Sequence, residues 1–202
     1  MKEKKSLIVK ICVSAILIAL EIVLNRFCSI NTTFLKVGFA FVPPAFAAIV
    51  FGPAIGAAVY ALADMVGALL FPMGPYHPGF TACAALMGAV YGFFLCKTPV
   101  NINHMGKNGS FTLSLRRNTV PIIPNVAVAV LINCIVFGLF INTAWISMLY
   151  DTKTYWGYFL SRIIEYAILI PVQIAIIPIL LKVSGPVRKI TGAQPEGGEE
   201  KQ

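Results

Sequence analysis

The sequence predicts an all-α membrane protein: six transmembrane helices with both termini in the cytoplasm. Three observations carry that expectation. The 202 residues are 58% hydrophobic with mean hydropathy +0.82, too much apolar surface for a soluble domain to hide from water. The apolar residues gather in runs near the roughly 17–25 residues that a bilayer-spanning helix needs. Lys and Arg are unevenly shared between the two sides that alternate spans define. Lys2, Lys4, Lys5, Lys10, Lys97, Lys107, Arg116, Arg117, Lys182, Arg188, Lys189 and Lys201 fall on one side, and only Arg26, Lys36, Lys153 and Arg162 on the other. Positive charge is retained in the cytoplasm, so the first side is the inner one.

The apolar segments lie at about 7–25, 37–51, 54–71, 80–96, 122–144 and 158–183. The first, within MKEKKSLIVKICVSAILIAL, begins like a secretion signal. It runs on apolar to Leu24 without a small-residue cleavage site, and further spans follow, so it reads as a retained helix. The second is short and holds Pro43 and Pro44, which predicts a helix that is kinked or tucked against the third. Gly52–Pro53 is the tight turn between those two. The segment FPMGPYHPGFT, residues 71–81, joins the third and fourth spans on the outer side. Pro72, Pro75 and Pro78 recur at every third residue, the period of a polyproline II strand, so the segment reads as extended and stiff. Tyr76 and His77 then point away from the proline edge, while Gly74 and Gly79 allow turns or close backbone approach. The linker 97–121 is rich in Asn, Gly and Ser and divides four spans from two. The tail from Ser184 to Gln202 carries Gly, Pro and charge, which predicts disorder.

Several function classes are disfavoured. The formal net charge of +8 would suggest nucleic acid in a soluble protein, but here the basic residues are topology signals and no aromatic–basic stripe accompanies them. The five cysteines, Cys12, Cys28, Cys83, Cys96 and Cys134, form no CxxC pair and mostly sit in apolar runs, so neither a disulfide framework nor a metal site is expected. His77 and His104 lie on opposite sides and make no ligand pair. The sequence has no HExxH, GxSxG or GxxxxGK[ST] motif, and Ser147 and Ser161 lack an obvious base, so no catalytic residue and no cofactor is assigned.

The polar residues inside the spans point instead to a binding cavity. Glu21, Asn25 and Arg26 fall at the outer end of the first helix, and Asp64 lies past the middle of the third. Asn142 and Trp145 close the fifth on the outside, and Arg162 and Glu165 enter the sixth from the outside. An ionisable group within a span costs several kcal/mol unless it is paired or faces water. Their gathering in the outer half predicts a polar cavity open to the exterior. The 71–81 segment then forms its lid or wall, because non-helical backbone at membrane depth is tolerated where it lines a cavity. Plainer readings stand beside these: a Pro-rich turn is often only a turn, and Arg162 and Glu165 form an i, i+3 ion pair on any helix. Small-residue pairs recur at one-turn spacing. Gly52/Gly56 and Gly88/Gly92 suit packing within the bundle, and Ala15/Ala19 on the first helix leave a face for another protein.

With AxxxA in the first helix and a pocket on the outside, the chain resembles the S components of energy-coupling factor (ECF) vitamin transporters, most closely the folate-specific type. The carrying residues are NRFCSI (25–30), KVGFAFVPPAFAAIVFGPAIGAAVYALADMVGALLFPMGPYHPGFT (36–81), NTAWISMLY (142–150) and SRIIEYAILIPVQ (161–173). The resemblance implies the ECF S-component fold in a bacterial cell membrane. It implies capture of folate from outside and delivery to a transmembrane coupling subunit, and through it to two ATPase subunits. Ala15 and Ala19 map onto the family's contact with the coupling subunit. The loops at about 26–36, 72–79 and 145–157, including Pro72, Gly74, Pro75, Pro78 and Gly79, map onto its gate. Chemistry suits such a ligand: Asp64 accepts from the pterin's amino–amide edge, Asn142 reads a remaining edge, and Tyr76, Phe80 and Trp145 stack on rings. Arg26 or Arg162, with Lys36, holds the tail carboxylates. His77 is placed in the same binding set. Glu165 stands where the resemblance leads one to expect a basic residue. The alternatives are an S component for another flat heterocycle, such as riboflavin or a queuine precursor, and a non-transport structural membrane subunit.

Overall fold

The computed structural model describes residues 2–31, 36–72, 74, 76–96, 122–150 and 155–191. Helix α1 spans Lys2–Arg26 and ends in a two-residue antiparallel ladder, β1 (Ile30–Asn31) with β2 (Lys36–Val37). This small ladder is absent from the all-helical expectation. Helices α2 (Val42–Phe51), α3 (Pro53–Leu70) and α4 (Pro78–Leu95) follow. Helix α5 (Ile122–Leu131) runs on through a π-helical stretch, Ile132–Ile141, into α6 (Asn142–Tyr150), so the three pieces make one span. Helix α7 (Tyr155–Thr191) is the last element among the described residues. Six helical segments are thus present among the described residues. Five are long and apolar enough to cross a membrane. At 10 residues α2 covers only ~15 Å, about half the hydrocarbon core.

Local sequence explains the joints. Pro43 and Pro44 fall in the first turn of α2, where the missing N–H groups have no intrahelical partner to lose, so they start the helix and do not kink it. Gly52 turns the chain from α2 into α3 at φ 95°, a left-handed conformation that favours glycine. His77 caps α4: its Nδ1 accepts from the Gly79 N–H at 3.0 Å, and Pro78 follows as the first helical residue. Pro78 and Gly79 therefore belong to the first turn of α4, while Pro72 and Gly74 stay in the connecting loop. Pro75, the middle of the expected polyproline strand, lies outside the described residues, as does the 97–121 linker.

The α3–α4 hairpin is the most closely packed pair in the bundle. A methyl group added at Gly88 would meet the backbone of Gly56 and Ala57, and one at Gly92 would meet Pro53, so these positions bring the two backbones together. The Gly56 and Gly88/Gly92 positions are thus internal packing, as their spacing suggested. The main core joins Phe41, Ala48, Ile49, Tyr91, Leu95, Val126, Val130, Ile177 and Leu181, with α2 enclosed at its centre. Leu7, Ile8, Ile11, Ile16 and Leu20 of α1 and Ile164, Ile168 and Ile179 of α7 lie exposed, as residues facing lipid do.

The expectation of disorder from Ser184 is corrected over part of its range. Helix α7 continues to Thr191, and Ser184 and Thr191 are buried. The reason is a long-range bond: the Arg188 guanidinium donates to the carbonyls of Ile49 and Cys96, which end α2 and α4. Both acceptors sit at helix C-termini, where a cation is favourable. Residues 192–202 lie outside the described residues. Cys12, Cys28, Cys83, Cys96 and Cys134 are all unbridged.

Candidate functional site

Away from the N-terminus, the bundle encloses an open-mouthed cavity of about 190 Å³. Its wall draws on every long helix. The last turns of α1 give Glu21 and Asn25, α3 gives Tyr60 and Asp64, and α4 gives Met87 and Tyr91. The π-helical stretch gives Asn133 and Cys134, and α7 gives Glu165, Tyr166 and Gln173. Three carboxylates thus line one small space, with Glu21 1% and Glu165 5% exposed, and no Lys or Arg lines it among the described residues. Buried charges need paired or hydrogen-bonded surroundings, and a cavity wall of this kind is built to meet donors.

The polar groups are braced. Asn25 Nδ2 donates to Glu21 Oε1 at 2.8 Å, and Ser29 Oγ donates back to the Asn25 carbonyl at 2.6 Å. Deeper in the membrane, the Tyr91 hydroxyl donates to Gln173 Oε1 at 2.7 Å, and Cys134 Sγ donates weakly to the same oxygen at 3.7 Å. With its oxygen so engaged, Gln173 has its amide nitrogen to offer the cavity. Arg162 donates from Nη2 to the Tyr166 hydroxyl at 3.1 Å and places Nε 3.7 Å from Glu165 Oε2. It fixes two lining side chains without lining the cavity itself.

The sequence-predicted residues sort accordingly. Asp64 lines the cavity. Its Oδ2 accepts from Thr81 Oγ1 at 2.8 Å, and Thr81 Oγ1 also pairs with the Tyr76 hydroxyl at 3.0 Å, so a polar chain ties the loop after α3 to the carboxylate. His77 lies 4.7 Å from Trp145, ring centre to ring centre, and Phe80 meets His77 edge-on at 6.4 Å. Gly79 sits directly under the Trp145 indole, where a Cβ would collide with the ring. The start of α4 and the end of the fifth span are therefore stitched together. Arg26 packs against Gly67 of α3 near the mouth. Asn142, Trp145 and Arg162 lie outside the immediate lining. The backbone of Lys36 pairs with Asn31 in the ladder, while its side chain lies outside the described residues. Ala15 and Ala19 are exposed on α1.

Sequence reading passed over Tyr60, Tyr91, Asn133, Cys134, Tyr166 and Gln173. For two of them a signal existed: Asn133 and Gln173 are amides within long apolar runs, and polar groups at membrane depth are costly enough to mark function. The tyrosines carried no such mark, because an aromatic ring in a span is equally at home in a core.

Fold and site together define a multi-pass membrane protein with an open-mouthed polar cavity in its helix bundle. Comparison with known proteins narrows the class. Residues 5–183 match the family model described as the S component of an ECF-type riboflavin transporter. The folate transporter FolT of Clostridium novyi (strain NT) is 32% identical over 163 residues, 81% of this chain and 82% of that protein. The folate transporter FolT of Leuconostoc mesenteroides subsp. mesenteroides is 29% identical over 171 residues, 83% and 81% of the two chains. A crystal structure of FolT bound with folic acid superposes with a TM-score of 0.66 at 31% identity, covering 82% of this chain and 86% of that one. The chain belongs to the ECF-type transporter S-component family, and is a transporter subunit and not an enzyme.

Proposed function

We propose that this protein captures folate from outside the cell, as the substrate-specific subunit of an ECF-type importer in the bacterial plasma membrane. The observation that carries the reading is the acidic, base-free lining of the cavity. The pterin of folate presents an amide N–H and an amino N–H side by side. A carboxylate accepts such a pair with both oxygens, and Asp64 is the residue assigned to it. A cavity of about 190 Å³ suits a bicyclic ring but is smaller than the ~300 Å³ at which pockets for whole drug-sized ligands begin. The benzoyl and glutamate portions then rise through the mouth, past Tyr76, His77, Phe80 and Trp145. Arg26 and Lys36 meet the tail carboxylates there, and Asn142 and Arg162 serve the site from behind its lining. The loop holding Pro72, Gly74 and Pro75, with the helix start at Pro78–Gly79, closes over the ligand under Trp145. On the opposite half of α1, exposed Ala15 and Ala19 form the flat face that receives the transmembrane coupling subunit, through which two ATPase subunits act. The similarity to FolT proteins supports the same ligand.

Riboflavin is the second reading, favoured by the description of the matching family model. Its flavin edge carries one imide N–H between two carbonyl oxygens, and those oxygens would face carboxylates in this cavity. Titration of the purified protein with each vitamin, followed by intrinsic tryptophan fluorescence, separates the two. Folate should bind at nanomolar concentration and riboflavin at least 100-fold more weakly, on the order of 3 kcal/mol. Tight riboflavin binding with micromolar or weaker folate binding would overturn the proposal.

A further inference from the structure

Asn133 is a lining residue with an uncommitted oxygen. Its side chain is 2% exposed, and its Nδ2 donates to the Met87 carbonyl of α4 at 3.2 Å. Its Oδ1 is buried and has no hydrogen-bond partner among the described residues. The amide cannot profitably turn over, because that would set Oδ1 against the Met87 carbonyl oxygen. The side chain therefore offers the cavity an acceptor. Leaving a buried acceptor without a partner is costly, and a bound donor would recover that cost.

The backbone explains how Asn133 comes to be there. It lies in the π-helical stretch Ile132–Ile141, whose end is marked by the Asn142 N–H bonding back to the Phe137 carbonyl, five residues earlier. A five-residue bonding step places Asn133 roughly above Gly138, where an α-helical step would place it above Phe137. Gly138 is the position against which the Tyr166 ring packs, leaving no room for a Cβ. The π geometry thus lets one strip of the helix carry both the Asn133 amide and the seat for Tyr166. π-Helical segments are rare and recur at functional sites.

Resting on the folate reading above, we propose that Asn133 is a specificity-determining residue that accepts a hydrogen bond from the ligand's exocyclic amino group. The chemistry follows by subtraction. The oxidised pterin edge has three N–H hydrogens: one on the ring amide and two on the amino group. A carboxylate takes the ring hydrogen and the amino hydrogen parallel to it. The second amino hydrogen is left, and it needs an acceptor on the adjoining wall. Asn133 Oδ1 supplies one that is neutral, fixed in orientation and already desolvated. A heterocycle with a carbonyl or methyl at that carbon would leave the oxygen unpaired or repelled, so the residue discriminates by more than it stabilises.

The test compares folic acid with its analogue carrying a methyl group in place of the 2-amino group, on wild type and on Asn133→Leu, by fluorescence titration. Wild type should prefer folic acid. Asn133→Leu should lose about 10-fold or more in folic acid affinity and little for the analogue, so the preference ratio falls by about the same factor. Asn133→Asp, which keeps an oxygen acceptor at the position, should retain much of the ratio. Asn133→Ala reads the same ratio if the leucine variant does not fold. An unchanged ratio in the leucine and alanine variants, or equal losses for both ligands, would overturn the assignment while leaving the folate reading intact. Failure of wild type to bind folic acid would instead sink the folate reading itself.

Discussion

Removing Arg188 should loosen the inner end of the bundle and leave ligand binding alone. Its guanidinium bridges the last carbonyl region of α2, at Ile49, and the cap of α4, at Cys96, from a helix that begins at Tyr155. No other hydrogen bond described at this end joins three helices. Burial works against the charge here and pulls the Arg188 pKa down, so the two carbonyls at helix C-termini are what offset the desolvation. A hydrogen bond from a charged donor contributes about 1.5–3 kcal/mol. Two of them, taken at the lower end because the side chain is only partly buried, give ~3 kcal/mol for Arg188→Ala. For a chain of this length 1 kcal/mol corresponds to about 2–4 °C, so the midpoint should fall by ~6–12 °C. Arg188→Lys should recover only part, since both bonds leave from Arg188 Nη2 and the lysine ammonium sits on a shorter stem. The assay is thermal unfolding of the detergent-solubilised protein, paired with a folate titration below the transition. A midpoint within about 1 °C of wild type would refute the clamp, and a lost affinity in a folded variant would refute its separation from the site.

Three further outcomes are expected. Asp64→Asn should weaken folate by about 10–100-fold, because it replaces a two-oxygen acceptor with a mixed amide, and an unchanged Kd by fluorescence would remove Asp64 from the pterin contact. Gly79→Val should push the Trp145 indole aside and speed ligand release several-fold in a stopped-flow chase, whereas an unchanged rate would show that the Trp145 seat does not gate the cavity. Ala15→Trp and Ala19→Trp should abolish uptake in whole cells while leaving folate binding by the purified protein as it was, and normal uptake by both would show that partners dock elsewhere.

The bundle was legible in the sequence because lipid forces every span to satisfy its own backbone. Run length alone then locates helices such as Pro53–Leu70 and Pro78–Leu95 to within a few residues. Gly52–Pro53 could be read as a turn because few residues other than glycine adopt its φ. The carbon-rich runs could not show that the fifth span changes to π geometry, since no residue preference announces it. Nor could they show that the charged stretch after Ser184 is helical. Its order depends on Arg188 meeting carbonyls at positions 49 and 96, and such pairings are decided by the tertiary fold. The cavity was half legible. Asp64, a carboxylate past mid-span, stood out, and Glu21 and Glu165 were marked without a role. Arg162 was read as a tail contact; it bonds Tyr166 and lies beside Glu165, two residues that line the cavity. Lys36 and Pro75 remain expectations from the resemblance.

The most direct test is a structure of this protein with folic acid bound. It should place the pterin inside the cavity, its amino–amide edge on Asp64, and the glutamate tail at the mouth near Arg26. A pterin outside that cavity, or a tail carboxylate among Glu21, Asp64 and Glu165, would contradict the account.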